Sequence, residues 1–240
     1  MSYRKKPNLN YKKDAGTLNV KKKRFDRKPE HAGSFRAELV PSSTRETTVR
    51  LVGELQNYAI KYVLAGAFPV QFYGRERFSR DVDLVVGVNE KNAQNLFKLL
   101  KSGRYTVLYP MEHEKKIDSP ESILKINLIK MKDTQTGALV DLILTPREVG
   151  FKFDNESEKR MKKVKLNGKE VVMPSPEDYL VMKLKARRPG THDFEDIVST
   201  LTVQFDSLDW NYLDNRAEEE NVKGLLDYYK GAVEKGLSQK

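Results

Sequence analysis

The chain has 240 residues, and 44 Lys+Arg against 34 Asp+Glu leave a net charge of +10. That length suits one core domain with a smaller appendage. The mix of 38% hydrophobic and 32% charged residues has no apolar run approaching the ~18 residues of a membrane span, and the absence of cysteine excludes disulfides, thiolate metal sites and cysteine nucleophiles. The opening Met-Ser-Tyr-Arg-Lys-Lys lacks the apolar core of a secretory leader, so a cytoplasmic, membrane-free protein is expected.

The charge is unevenly placed. Residues 1–36 hold twelve Lys/Arg and three acids, and so carry +9 of the +10. Their large aliphatics are few (Leu9, Leu18, Val20), too few to offset the entropy of ordering, and residues 1–41 read as a basic flexible tail. Tyr3, Tyr11, Phe25 and Phe35 are interspersed among the cations, a composition suited to stacking on RNA bases and equally to a solubilising leader.

Past Pro41 the pattern becomes globular. Ser42-Ser43-Thr44 with Glu46 offers a helix cap, followed by Val49, Leu51, Val52, Leu55 and Tyr58 at helical spacing. Tyr62–Ala65 reads as a buried strand running through Gly66-Ala67 into a short helix that Gly74 closes. Strands are predicted at 81–86 and 105–109, with a helix over 89–100 between them. Ile123–Met131 alternates strictly and predicts a further strand, with a hairpin loop at 133–137 and a return strand over 139–144. A short helix near 156–161 and a hairpin over 164–173, turning at Asn167-Gly168, complete an α/β core spanning 42–174. Ser175-Pro176-Glu177-Asp178 then opens a helix, with further helices near 191–203, 208–217 and 221–233, so residues 175–240 form a C-terminal helical region. The expected class is α+β.

Asp81-Val82-Asp83 carries the strongest chemical signal. Aspartate is disfavoured in strands, yet two stand two residues apart, which places both side chains on one face. Carboxylates that close repel unless neutralised, and oxygen-only donors point to Mg²⁺ or Mn²⁺. Asp141 lies inside Leu139-Val140-Asp141-Leu142-Ile143-Leu144, where an acid is costly unless paired or metal-bound. Gly66-Ala67 falls at a strand-to-helix junction, where backbone N–H groups can hold a phosphate. Arg75, Arg77 and Arg80 crowd just before the two acids.

Together these residues resemble the nucleotidyltransferase superfamily of DNA polymerase β type, whose signature is a hydrophobic residue and Gly-Gly/Ser, nine to thirteen residues, Asp-x-Asp/Glu and a third acid on a later strand. Here Leu64-Ala65-Gly66-Ala67 is followed by residues 68–80 and Asp81-Val82-Asp83, with Asp141 as third acid. The resemblance is closer to a minimal bacterial and archaeal branch that includes AbiEii-type toxins and often reads Gly-x-x-Arg-x-Thr-x-Asp-x-Asp. Residues Gly74 to Asp83 match this with Ser79 in place of Thr, and Met173–Arg187 and Asp193–Ile197 also resemble that branch. Ala67 departs from the pattern, since Gly or Ser is usual there.

The resemblance implies a polymerase β-like core, a mixed sheet flanked by helices, that moves a nucleoside monophosphate from an NTP to a hydroxyl. Asp81, Asp83 and Asp141 would be catalytic and metal-binding. Gly66, Ala67, Arg77, Ser79 and Lys183 would bind the nucleotide, with Arg187 one helix turn beyond Lys183. The acceptor implied by toxin members and by the basic tail is RNA, including tRNA, and the implied protein partner is antitoxin-like. The alternative is a catalytically degenerate domain that binds nucleic acid or a partner protein.

Overall fold

The computed structural model describes residues 36–110, 116–145, 149–186 and 191–238. The basic segment before Arg36, with its four aromatics, and Arg187 lie outside the described residues.

A single 3-10 turn, Ala37–Leu39, leads into helix α1 (Ser42–Asn57). Strand β1 (Lys61–Leu64) runs through Gly66 into helix α2 (Ala67–Tyr73), and an extended loop returns the chain to β2 (Val82–Gly87). Helix α3 (Ala93–Leu100), β3 (Tyr105–Pro110), the short helix α4 (Pro120–Ile123), β4 (Leu128–Asp133) and β5 (Leu139–Thr145) follow. Helix α5 (Asn155–Arg160) precedes a hairpin of β6 (Lys162–Leu166) and β7 (Lys169–Met173). Helices α6 (Pro176–Ala186), α7 (Asp193–Gln204), α8 (Trp210–Glu219) and α9 (Lys223–Ser238) close the chain.

The main sheet is mixed, in the order β1-β2-β5-β4-β3. Its central pair, β2 and β5, is parallel and the other neighbours are antiparallel. Period-two alternation sorts each strand between two faces. Val82, Leu84, Val86, Val140, Leu142 and Leu144 point into the large core under α1 and α3. The opposite face carries Val63, Ala65, Val85 and Ile143, packed with Phe151 and Met182. The same face carries Asp83 and Asp141, by the alternation of their strands.

Helix α6 joins the two halves of the molecule. Its Tyr179 belongs to the large core, Met182 to the small one, and Leu180, Val181 and Leu184 to a third core shared with α7, α8 and α9. Sequence signals account for its start: the Ser175 hydroxyl accepts from the Asp178 amide at 3.1 Å, and Pro176 occupies the first turn.

Two local expectations are corrected. The alternation from Ile123 does not begin a strand, because Ser119 caps a helix at Pro120 through a reciprocal pair with Ser122, and Ile123 belongs to that turn. The strand starts at Leu128. At α1 no hydroxyl caps the helix; Pro41 is the cap residue, and Thr44 instead donates its hydroxyl to the Arg80 carbonyl at 2.7 Å. That bond ties α1 to the loop preceding Asp81.

Candidate active site

The site lies at one end of the central parallel pair, where β1 passes into α2. Parallel register sets Asp83 of β2 directly beside Asp141 of β5, and antiparallel register sets Lys130 of β4 beside Asp141. The result is a row of acid, acid and cation across three neighbouring strands. Lys130 Nζ lies 2.9 and 2.7 Å from the two oxygens of Asp141. Asp81 precedes β2 and is exposed, whereas Asp83 is half-buried.

Gly66 closes the site from above. The Ala65 amide donates to the Asp83 carbonyl at 2.8 Å, so the turn begins where β2 carries its carboxylate. Gly66 has φ +61°, and a Cβ there would stand 1.9 Å from Asp83 Oδ2. Only glycine accommodates both the conformation and the approach. The Tyr179 hydroxyl donates to the Gly66 carbonyl at 3.1 Å, fixing α6 against the turn. Burial raises the Tyr179 phenol well above its ordinary range, so it stays a proton donor at neutral pH.

The remaining charges form an ion cluster around the buried Asp196. Asp196, fully buried on α7, accepts from Arg75 Nη2 at 2.9 Å, Arg77 Nη1 at 2.6 Å and Lys183 Nζ at 2.9 Å. Lys183 also pairs with Asp193 at 2.8 Å, and Arg75 with Glu195 at 2.9 Å. Arg77 and Lys183 are thus held by aspartates while lying near enough to Asp83 to act on it. Burial and the Asp141 charge push the Asp83 carboxyl up to about 6, against the opposing pull of Arg77 and Lys183. Arg77 Nε is buried and has no hydrogen-bond partner among the described residues. A buried donor without an acceptor costs free energy until an acceptor arrives.

The sequence-derived site residues therefore take several positions. Asp83, Asp141, Gly66, Arg77 and Lys183 converge. Asp81 is exposed just before β2. Ala67 begins α2 and is buried. The Ser79 hydroxyl donates to the Asp81 carbonyl at 2.9 Å, so it shapes the loop. Tyr179, Asp193 and Asp196 were not assigned a role from sequence. Asp193 and Asp196 stand i,i+3 at a helix start, where acids are ordinary, and only their burial against Lys183, Arg75 and Arg77 distinguishes them.

Among the described residues, no three His, Cys, Asp or Glu side chains are gathered into a group that would hold a metal ion as they stand. The donor chemistry nonetheless suits a hard divalent cation: Asp83 and Asp141 are adjacent, oxygen-only and mutually repulsive, as the raised Asp83 pKa records.

The sheet thus pairs two acids under a glycine turn, with the half-buried Arg75 and Arg77 and the buried Lys183 gathered on Asp196. The family model described as nucleotidyltransferase of unknown function (DUF6036) matches residues 56–230, and the chain belongs to that family. Among solved structures, the chain is similar to an antigenic nucleotidyltransferase-like protein from Paracoccidioides brasiliensis, at 21% identity over 80% of this chain and 94% of that one, with a TM-score of 0.44. It is also similar to the lincosamide antibiotic adenylyltransferase LnuA, at 12% identity over 68% and 98% of the two chains, again with a TM-score of 0.44. No curated protein sequence matches significantly. No helix among the described residues is long and apolar enough to cross a membrane.

Proposed function

We propose that this nucleotidyltransferase-family protein moves a nucleoside monophosphate from an NTP to a hydroxyl acceptor, with divalent-metal dependence and RNA, including tRNA, as the acceptor class. The observation that carries this reading is the in-register pairing of Asp83 with Asp141 beneath Gly66. In the transfer, the acceptor oxygen forms a bond to the α-phosphorus, the bond from that phosphorus to the bridging oxygen of pyrophosphate breaks, and the acceptor proton passes to a base. Asp81, Asp83 and Asp141 are the residues that would hold Mg²⁺ or Mn²⁺, which when bound offsets charge on the triphosphate and on the attacking and leaving oxygens.

The chain's own residues supply the rest. Arg77 offers its orphan Nε–H to a phosphate oxygen. The Gly66–Ala67 backbone forms the surface against which the phosphates lie. Tyr179 fixes that surface, and Lys183, held by Asp193 and Asp196, keeps a positive potential at Asp83. Asp141 receives the acceptor proton in this scheme. A toxin-like role with an antitoxin-like partner is part of the reading and follows from the Gly74–Asp83 motif.

Incubation with each α-³²P-labelled NTP and total RNA tests the proposal. Labelled RNA is expected from the wild type and none from Asp83→Asn; equal labelling by that variant would overturn the assignment. The Lys130–Asp141 pair favours a second reading, a domain that binds nucleotide or RNA without transfer, because it neutralises the third acid. Under that reading Mg²⁺·NTP would raise the melting temperature while no RNA became labelled.

A further inference from the structure

Apolar cover over the acid-bearing face of the main sheet stops at β5. The small core on that face takes in Val63, Val85 and Ile143, and among the described residues none from β3 or β4 belongs to it. Period-two alternation carries the same face on across the next two strands. Lys130 lies on it, since its ammonium meets Asp141 at 2.7 Å, and Lys132, two residues along β4, lies on it too. Lys132 pairs in register with Leu139 of β5 on one side and with Thr106 of β3 on the other. All three residues are exposed, Leu139 by 42%. Lys130 therefore has an acid for its β5 neighbour, whereas Lys132 has a leucine. The Lys132 ammonium is a cation turned to solvent, roughly 7 Å along the strand from the one that holds Asp141.

The glycine turn sets a direction independently of these side chains. Gly66 follows β1 and reaches Asp83 from the β1 side, while Asp141 stands on the other side of Asp83, towards β4. A triphosphate seated on that turn releases its pyrophosphate on the β1 side. In-line displacement then brings the attacking hydroxyl from the opposite direction, over Asp141. The part of the acceptor that does not react comes to rest on the open face beyond, at Leu139, Lys132 and Thr106.

We propose that Leu139, Lys132 and Thr106 form the acceptor subsite and that Lys132 sets its specificity: the acceptor carries a phosphate roughly 7 Å from the hydroxyl that reacts. This rests on the transfer reading above and sharpens its acceptor. The division of labour is physical. Asp141 takes the hydroxyl, Leu139 takes apolar surface and limits the water that competes for the ion pair beside it, and Lys132 takes the anion. A phosphate beside a ribose hydroxyl meets the condition, on a strand end or on a free sugar phosphate. A neutral sugar does not.

Proton–nitrogen correlation spectra of the isotope-labelled full chain, recorded in EDTA without NTP, test this with ribose 5-phosphate as the probe. Saturable shifts are expected at the amides of Thr106, Lys132 and Leu139, and none with ribose. Lys132→Gln is expected to weaken binding about 5-fold, and Lys132→Arg to restore it. A uridine tetranucleotide distinguishes the two sources of the phosphate: it binds through the same amides more tightly than ribose 5-phosphate if the acceptor is a strand, and no more tightly if it is a free sugar phosphate. Shifts confined to the Gly66 turn, equal shifts from ribose, or wild-type affinity in Lys132→Gln would each overturn the subsite. No NTP is present, so an absence of RNA labelling would defeat the transfer reading while leaving these outcomes readable.

Discussion

Lys130 Nζ stands between both oxygens of Asp141, at 2.9 and 2.7 Å, on the strand next to the one that carries the acid. The cation therefore competes for the oxygens that a divalent ion would use. Lys130→Met is expected to tighten Mn²⁺ binding, read by electron paramagnetic resonance, by roughly 5-fold or more, which corresponds to about 1 kcal/mol of removed competition. The pair is partly exposed, so its loss should lower unfolding free energy by no more than about 1 kcal/mol. An unchanged Mn²⁺ affinity would show that Lys130 does not occupy the ion's place.

Asp83 holds its proton up to about pH 6, because burial and Asp141 disfavour its charge. A carboxyl raised above its unfolded value binds more protons folded than unfolded, so it costs stability as pH rises from about 4 through about 6. Asp83→Asn is therefore expected to raise the melting temperature of the metal-free protein at pH 7–8, by a free energy on the order of 2 kcal/mol, with the gain vanishing near pH 4. Thermal melts in EDTA across that range decide the matter; a gain independent of pH would contradict the electrostatic cause.

Asp196 is the anion shared by Arg75, Arg77 and Lys183. Asp196→Asn removes the buried anion these cations share, leaving Arg77 without its carboxylate and Lys183 and Arg75 with Asp193 and Glu195 alone, and a loss of about 3–5 kcal/mol is expected in urea unfolding. Glu195→Gln, whose carboxylate is more exposed, should cost less than about 1 kcal/mol. Similar costs for the two would mean that burial does not govern the cluster.

Gly66 meets Asp83 so closely that any Cβ must displace the carboxylate. Gly66→Ala is expected to destabilise the protein by about 1–3 kcal/mol through its backbone conformation and to abolish the Mg²⁺·NTP thermal shift. A variant that melted earlier but kept the full nucleotide shift would separate the turn from the site.

Much of the fold follows from local patterning. The strand patterns along 81–86 and 139–144, the turn residues Asn167-Gly168 and the Ser175-Pro176 helix start each reappear as elements, because each is written in the residue types of a short window. The stretch 123–127 reads wrongly from alternation because Ser119 and Ser122 close a helical turn that ends at Ile123, and a local cap outweighs a period that has no strand partner at that point. Asp81, Asp83, Asp141 and Gly66 are candidates from residue type and spacing, and the fold brings Asp83, Asp141 and Gly66 together. Tyr179, Asp193 and Asp196 fall in stretches that resemble the toxin branch, but their roles are not readable there, since their contacts with Gly66, Lys183 and Arg77 arise only when α6 and α7 pack.

The amino-acid sequence alone determines that +9 of the charge sits in the first 36 residues, that the body is nearly neutral, and that three acids fall on or beside strands. Those are properties of composition and period, and they need no partner. Which acids meet, which cation holds each, and where the basic segment joins the body were decided by tertiary structure alone. Parallel register put Asp83 beside Asp141, antiparallel register brought Lys130 to the same acid, and the hydrogen bond between Ser79 and Leu39 set the start of the described fold against the loop that precedes Asp81. Each is a pairing between residues far apart in the chain, fixed by strand order and helix packing that no local window contains.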